Sequence, residues 1–153
     1  LNLSLLSLFS LPMITSIELQ YRLEPDSSGK PSYMLASFRG ELDESNIDST
    51  ATQVYKLIED TAPGIIFIFD FHELGYMNSK SLGYLSDWFT KITERGGTLK
   101  IAAAPANITD ILRTVGLDNF ISICATVEEA KARDMSAQKA EPVLEKTKPT
   151  SEK

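Results

Sequence analysis

The feature that most constrains the fold is a continuous apolar run in the middle of the chain, Ile65-Ile66-Phe67-Ile68-Phe69. A strand that is apolar at every position is typical of a sheet covered on both faces, because a strand with one face in solvent alternates apolar and polar residues. The polar residues Asp70, His72 and Glu73 follow the run, and the pattern assigns them to a short turn. A helix is predicted to begin next, at Asn78-Ser79.

The rest of the chain alternates between strand and helix patterns, which favours right-handed crossovers and a mostly parallel sheet. A turn-rich segment at 25–31 joins the first two strands into an antiparallel hairpin, and Gly40 marks a bulge or a close approach in the second strand. We therefore predict an α/β fold: a mixed, mostly parallel β-sheet led by an antiparallel hairpin, with about four helices packed against it. The other strands are predicted at Ile14–Leu23, Tyr33–Leu42, Thr98–Ala104 and Phe120–Ala125, and the other helices after Asn46, at Asn107–Val115 and at Val127–Arg133.

Aromatic side chains flank the apolar stripe of the helix that follows Asn78. At about 100° per residue, Tyr84 lies far from the centre of this stripe and Trp88 closer to it, so we expect Tyr84 to be exposed and Trp88 partly exposed. Together with Tyr76 they are candidate anchors for a partner protein. The alternative for Trp88 is packing against the flank of the core. The stripe expected to face the core consists of Leu82, Leu85, Phe89 and Ile92.

The length of 153 residues indicates one domain. We expect an apolar N-terminal extension at 1–12, a domain at 13–133 and a disordered tail at 134–153, where Ala, Lys, Glu, Pro, Ser and Thr predominate. The extension is too short to span a bilayer and lacks the basic start of a secretory signal. It is interpreted as a frayed segment or misplaced start, or else as an arm that docks on the domain or on a second subunit.

Composition excludes several classes of function. The formal net charge of −6 disfavours binding to nucleic acid or to an anionic membrane. A single cysteine, Cys124, excludes an internal disulfide and a cysteine-rich zinc site, and fits a cytoplasmic location. His72 is the only histidine, and neither a phosphate-binding glycine loop nor a hydrolase motif is present. We therefore expect no enzyme activity, no cofactor and no metal.

Six short segments of the chain form a pattern through their order and spacing: Phe38–Asp43, Ile68–Phe71, Met77–Gly83, Arg95–Leu99, Ile111–Leu117 and Val127–Ala130. Together they resemble the STAS domain, the fold of bacterial anti-sigma factor antagonists. The resemblance covers about Ile14 to Arg133.

The resemblance implies a phosphorylation switch. In the family, a serine or threonine in an Asp-Ser-x-Gly segment is phosphorylated by a kinase that doubles as an anti-sigma factor, and a phosphatase resets the cycle. The acceptor position corresponds to Ser79. The chain departs from the pattern at Asn78, where Asp is usual, and at Ser81, where Gly is usual. Lys80 could pair with a phosphate, and Ser81 is a weaker acceptor candidate, expected to be a solvated first-turn residue.

Two alternatives stay open beside this switch. The first is a scaffold or ligand-sensing STAS module that works without phosphorylation and assembles with other STAS proteins, and a homo-dimer also stays open. The second is a small enzyme, which would depend on His72. For the switch, the partner-binding residues are expected to be those around the acceptor: Asn78, Lys80, Ser81, Tyr76, Tyr84 and Trp88.

Overall fold

The computed structural model describes residues 16–132. The predicted extension at 1–12 and tail at 134–153 lie outside this range, as do Met13 and Arg133 at the expected domain boundaries. The elements are β1 (Ile17–Pro25), β2 (Pro31–Leu42), α1 (Ile47–Asp60), β3 (Ile66–Met77), α2 (Ser79–Glu94), β4 (Thr98–Ala102), α3 (Ala106–Thr114), a 3-10 turn (Leu117–Asn119), β5 (Ser122–Cys124) and α4 (127–132).

The strands form one five-stranded sheet in the order β1-β2-β3-β4-β5. The hairpin β1-β2 is antiparallel, and every other neighbouring pair is parallel. The predicted mixed sheet led by an antiparallel hairpin is therefore confirmed. No helix within residues 16–132 is long and apolar enough to cross a membrane.

The apolar run in β3 is buried on both faces of the sheet. Phe67 and Phe69 belong to the main core with α1, α2 and α3, whereas Ile68 belongs to a second cluster on the opposite face. That second cluster includes Ala130 of α4. The continuous apolar pattern thus arises because helices cover this part of the sheet from both sides.

Strand β3 is longer than the sequence pattern predicted. The turn expected at Asp70, His72 and Glu73 is wrong, because β3 continues to Met77 and pairs in parallel with β2 as far as Leu42. His72 and Glu73 are exposed. Polar residues are tolerated in this strand because α4 packs on this face of the sheet near Ile68 and leaves the part around His72 exposed.

Helix α2 is rotated relative to the prediction. Its buried residues are Ser81, Leu85, Trp88 and Ile92. Leu85 and Ile92 are buried, as predicted. Leu82 and Phe89 were also expected to face the core, but they are half-buried and lie at the flanks of the buried stripe. Interhelical packing decides this rotation, since the 3.6-residue period alone leaves the centre of a broad apolar stripe uncertain by about one position.

The turn between β1 and β2 is organised by Asp26, whose Oδ1 accepts hydrogen bonds from the backbone N–H of Ser28 (2.9 Å) and of Lys30 (3.1 Å). The hydroxyls of Ser28 and Ser32 donate to the same carboxylate, at 2.6 and 2.9 Å. These donors, the Ser28 hydroxyl foremost, lower the pKa of Asp26 to about 2. The folded turn therefore stabilises the ionised form of the Asp26 carboxyl group.

We expect an NMR titration of the Asp26 carboxyl to give a pKa of about 2. Because the folded pKa is below the ordinary value of 3.8, the contribution of Asp26 to stability is fully present above that value and is lost as the pH falls through the folded pKa. Ser28→Ala removes the main donor and should return the pKa toward 3.8. An unchanged titration in this variant would contradict the assignment.

Candidate functional site

The candidate site lies where two parallel strands end side by side. The last residues of β2 and β3, Leu42 and Met77, are register partners. Helix α1 begins a few residues after β2, and α2 begins directly after β3. The backbone N–H of Asn78 donates to the carbonyl oxygen of Leu42 at 3.1 Å, which ties the start of α2 to the end of β2. The amino-terminal ends of α1 and α2 therefore lie together at the carboxyl-terminal ends of β2 and β3.

Asn78 is the N-cap of α2, as the sequence predicted. Its Oδ1 accepts a hydrogen bond from the backbone N–H of Ser81 at 2.9 Å. Ser79 is the first residue of the helix and is exposed to solvent. The free backbone N–H groups of a first helical turn and the helix dipole favour negative charge at such a position. The hydroxyl of Ser79 is thus accessible at a helix start, where the backbone favours negative charge.

Ser81 is fully buried, so the expectation that it is solvated is wrong. Its Oγ donates to Asn78 Oδ1 at 2.6 Å and lies 3.3 Å from the carbonyl oxygen of Leu42. These partners satisfy the hydroxyl and make its burial tolerable. The two residues that depart from the family pattern are therefore bonded to each other, and Ser81 is inaccessible as an acceptor.

Lys80 is held by carboxylates of the segment that opens α1. Its Nζ lies 3.1 Å from Asp48 Oδ1 and 3.7 Å from Glu44 Oε2. The Tyr84 hydroxyl donates to the same Asp48 oxygen at 2.8 Å. The hydrogen bond from Tyr84, followed by that from Lys80, lowers the pKa of Asp48, and the bond to Asp48 raises the pKa of Lys80 and of Tyr84. This exposed network joins α1 to α2 beside Ser79.

Trp88 is completely buried, so the predicted partial exposure is wrong and the alternative of core packing holds. Its ring stacks on Tyr84 with centroids 6.1 Å apart, and it also contacts Tyr55 at 6.5 Å. Tyr84 was expected to be exposed and is half-buried against Trp88. Trp88 therefore packs beneath the protein surface next to the start of α2, while Tyr84 forms part of that surface.

Tyr76 is exposed near the end of β3, with 45% of its surface accessible. It precedes Ser79 by three residues, outside the Lys80–Asp48–Tyr84 network. Among the predicted partner-binding residues, Asn78 is therefore bonded to Ser81, and Lys80 and Tyr84 both bind Asp48, whereas Tyr76 lies outside these groups.

The contribution of α1 was missed by the sequence analysis. Glu44 and Asp48 bind Lys80, and the hydroxyl of Tyr55 donates to Asp87 of α2. Burial and this bond raise the pKa of Tyr55 well above its usual value. A signal was available in the predicted topology. If β2 and β3 are adjacent and parallel, the helices that follow them begin at the same end of the sheet.

A polar cleft of about 240 Å³ lies elsewhere, along β1, β2 and β3 on the face that also carries α4. It contains His72, on which the small-enzyme alternative would depend, together with Asp70. Arg39 in this cleft pairs with Glu73 and Glu18. No cluster of His, Cys, Asp and Glu suited to a metal ion occurs in the part of the chain that the structure describes.

Comparison with family models gives a match to the STAS domain over residues 24–130, well over half of the chain. This chain belongs to the STAS domain family. A comparison with curated protein sequences gives no significant match. The family match runs from the end of β1 through β2 and the Ser79 region to most of α4, so the STAS resemblance noted in the sequence is confirmed.

Solved structures share the STAS fold. An anti-sigma factor antagonist from Mycobacterium paratuberculosis is 16% identical, with a TM-score of 0.62 and coverage of 75% of this chain and 92% of that one. The unphosphorylated form of SpoIIAA, a Bacillus cell fate determinant, is 19% identical, with a TM-score of 0.59 and coverage of 76% and 97%. The STAS domain of a SulP transporter from Vibrio cholerae is 14% identical, with a TM-score of 0.52 and coverage of 60% and 75%.

Proposed function

We propose that this STAS domain is a phosphorylation-controlled protein-binding module of the anti-sigma factor antagonist type. In this proposal it binds a kinase that doubles as an anti-sigma factor while Ser79 is unmodified, and releases it when Ser79 is phosphorylated. The observation that carries the proposal is the exposed Ser79 hydroxyl at the first position of α2, beside a buried and fully bonded Ser81.

Accessibility supports Ser79 as the acceptor. A kinase must bring the attacking hydroxyl to its own nucleotide, which a side chain buried under Asn78 and Leu42 cannot reach. The pairing of Ser81 with Asn78 also gives the two departures from the family pattern a shared structural role in capping α2. They change the cap and leave the exposed position of Ser79 intact.

The proposed switch is electrostatic. Phosphorylation adds close to two negative charges beside a surface that already holds Glu44 and Asp48, of which Lys80 is the bound counter-ion. The phosphate would compete with Asp48 for Lys80 and leave excess negative charge on the contact face. An interface formed with the unmodified helix start would then lose affinity through repulsion and desolvation.

Around the acceptor, the contact face comprises the exposed Tyr76, Lys80 and the outer edge of Tyr84, with Asn78 at its base. Tyr84 is fixed by its hydrogen bond to Asp48 and by its stacking on Trp88. An aromatic side chain held in place in this way loses little conformational entropy on binding, as is typical of residues that dominate interfaces.

The test is to compare Ser79→Ala and Ser79→Asp for binding to the anti-sigma factor kinases of the same cells by calorimetry. We expect Ser79→Asp to bind at least ~10-fold more weakly than the unmodified protein, and Ser79→Ala to bind as tightly and to stay bound when ATP is added. Intact-mass analysis of the protein from its native cells, with fragmentation, should place a phosphoryl group on Ser79.

Ser86 provides a matched control, because it is an exposed serine on the same helix. Ser86→Asp adds the same charge away from the helix start and should leave binding unchanged. Equal affinities for Ser79→Ala and Ser79→Asp would refute the switch. A protein that stays unmodified in all growth conditions would instead favour the scaffold or ligand-sensing alternative.

A further inference from the structure

Among residues 16–132, strand β1 forms one edge of the sheet, and its second side has no partner strand. It pairs there with β2 alone, through a continuous register from Ile17↔Gly40 to Glu24↔Tyr33. The backbone N–H of Glu41 donates to the carbonyl oxygen of Ser16, which extends this register by one bonded pair. In an antiparallel ladder bonded residues alternate, so the backbone groups of even-numbered β1 residues face β2. Those of Leu19 and Tyr21 therefore point to the free edge.

The side chains of the odd-numbered residues of β1 form an apolar row on the face of the sheet that α1, α2 and α3 cover. Their partners in β2 include the core residues Phe38 and Met34. Yet Tyr21 and Leu23 keep 56% and 48% of their surface exposed, because no element within residues 16–132 covers this end of the strand. The strand has no lysine or internal proline, and its one register irregularity lies at its end, between Glu24 and Pro25. The protection of this edge strand is thus limited to its charged side chains, Glu18, Arg22 and Glu24.

We propose that β1 pairs antiparallel with β1 of a second copy of this chain, centred on Gln20, and joins two five-stranded sheets into one. This register places Glu18 of each copy opposite Arg22 of the other on one face. On the other face Leu19 meets Tyr21 of the second copy. Both Glu18 and Arg22 are exposed. The pairing is isologous, as a two-fold dimer requires.

Charge selects this register over its neighbours. A slip of two residues in one direction sets Glu18 opposite Glu24 of the second copy, and like charges directly across a ladder destabilise it. A slip in the other direction sets Glu18 opposite Gln20, so the opposite-charge pair is lost. Only slips by an even number of residues keep the apolar row on one face. The dimer contact is separate from Ser79, which follows β3, two strands away from the edge.

The test is the mass in solution of the full chain, by sedimentation over a range of concentrations. Wild type is expected to dimerise reversibly. Arg22→Glu should raise the dimer dissociation constant at least ~10-fold, because it places carboxylates opposite each other twice. The double variant Glu18→Arg/Arg22→Glu exchanges the charges between the two copies and should bring the dissociation constant back toward that of wild type. The recovery should be partial, because position 18 also faces Arg39 of β2 in the same chain. Arg113→Glu, an equal charge change at an exposed site on α3, is the control and should have no effect.

Amide hydrogen exchange tests the register itself. The amides of Leu19 and Tyr21 should be protected only at concentrations where the dimer forms, whereas the amide of Gln20, which faces β2, should be protected throughout. A monomer at all soluble concentrations would overturn the proposal. So would a dimer that the Arg22→Glu change leaves intact and that removal of residues 1–12 dissociates, since the N-terminal arm would then be the contact.

Discussion

Replacing Trp88 with alanine is expected to lower the free energy of unfolding by about 3–5 kcal/mol. Trp88 has no exposed surface and lies within 6.5 Å, between ring centroids, of Phe38, Phe69, Tyr55 and Tyr84. Removing the indole leaves a large cavity between the sheet, α1 and α2, which close packing elsewhere prevents from collapsing. Urea denaturation followed by far-ultraviolet circular dichroism measures the loss, since the variant has no tryptophan fluorescence.

Trp88→Phe is the matched variant. The indole Nε1 is buried and has no hydrogen-bond acceptor among the described residues. Phenylalanine keeps most of the ring contacts and removes an unsatisfied donor, whose burial is itself unfavourable. We therefore expect a loss of at most ~1.5 kcal/mol. A loss as large as that of Trp88→Ala would contradict this account and would indicate that the indole N–H is bonded, for example to a buried water.

Replacing Gly40 with alanine is expected to cost at least ~3 kcal/mol, through strain and steric overlap together. Gly40 has a φ of +123°, a conformation that residues with a Cβ rarely adopt. A Cβ built there would lie 2.2 Å from the carbonyl oxygen of Ser16, so the backbone of the hairpin would have to move. Gly40 also adjoins a register shift between β2 and β3. Thermal and urea unfolding of the variant measure the cost.

Gly83→Ala is the control for Gly40→Ala, with the opposite sign expected. Gly83 is an exposed residue inside α2, and a Cβ there would meet no atom within 4 Å. Alanine favours the helix over glycine by up to about 1 kcal/mol, so this variant should be more stable than wild type. Equal destabilisation by both substitutions would show that the steric contact at Gly40 is not the cause.

The candidate site was partly predictable because its centre is local. An N-cap at Asn78 and a helix from Ser79 follow from residue types within one turn, and the structure has both. Its other half was not predictable in detail, because the bonds from Asp48 to Lys80 and Tyr84 join residues more than thirty positions apart. Such contacts depend on the crossing of α1 and α2, which no local pattern specifies.

The interior of α2 illustrates the same limit. The period of its apolar residues identified the helix, but Ser81 and Trp88 were assigned too much exposure. A buried serine is acceptable only when its hydroxyl has partners, and here the partners are Asn78 and the end of β2. The prediction for β3 failed for a related reason, since Asp70 and His72 suggested a turn where pairing with β2 continues the strand.

The sequence by itself determined the order of strands and helices, the mostly parallel sheet and the position of Ser79 at a helix start. These features depend on hydrophobic periodicity and capping, which act within a few residues. Only the tertiary structure decided which face of α2 is buried, how far β3 extends and which carboxylates hold Lys80. Those outcomes depend on packing and hydrogen bonds between elements distant in the chain, and burial then determines which serine remains accessible.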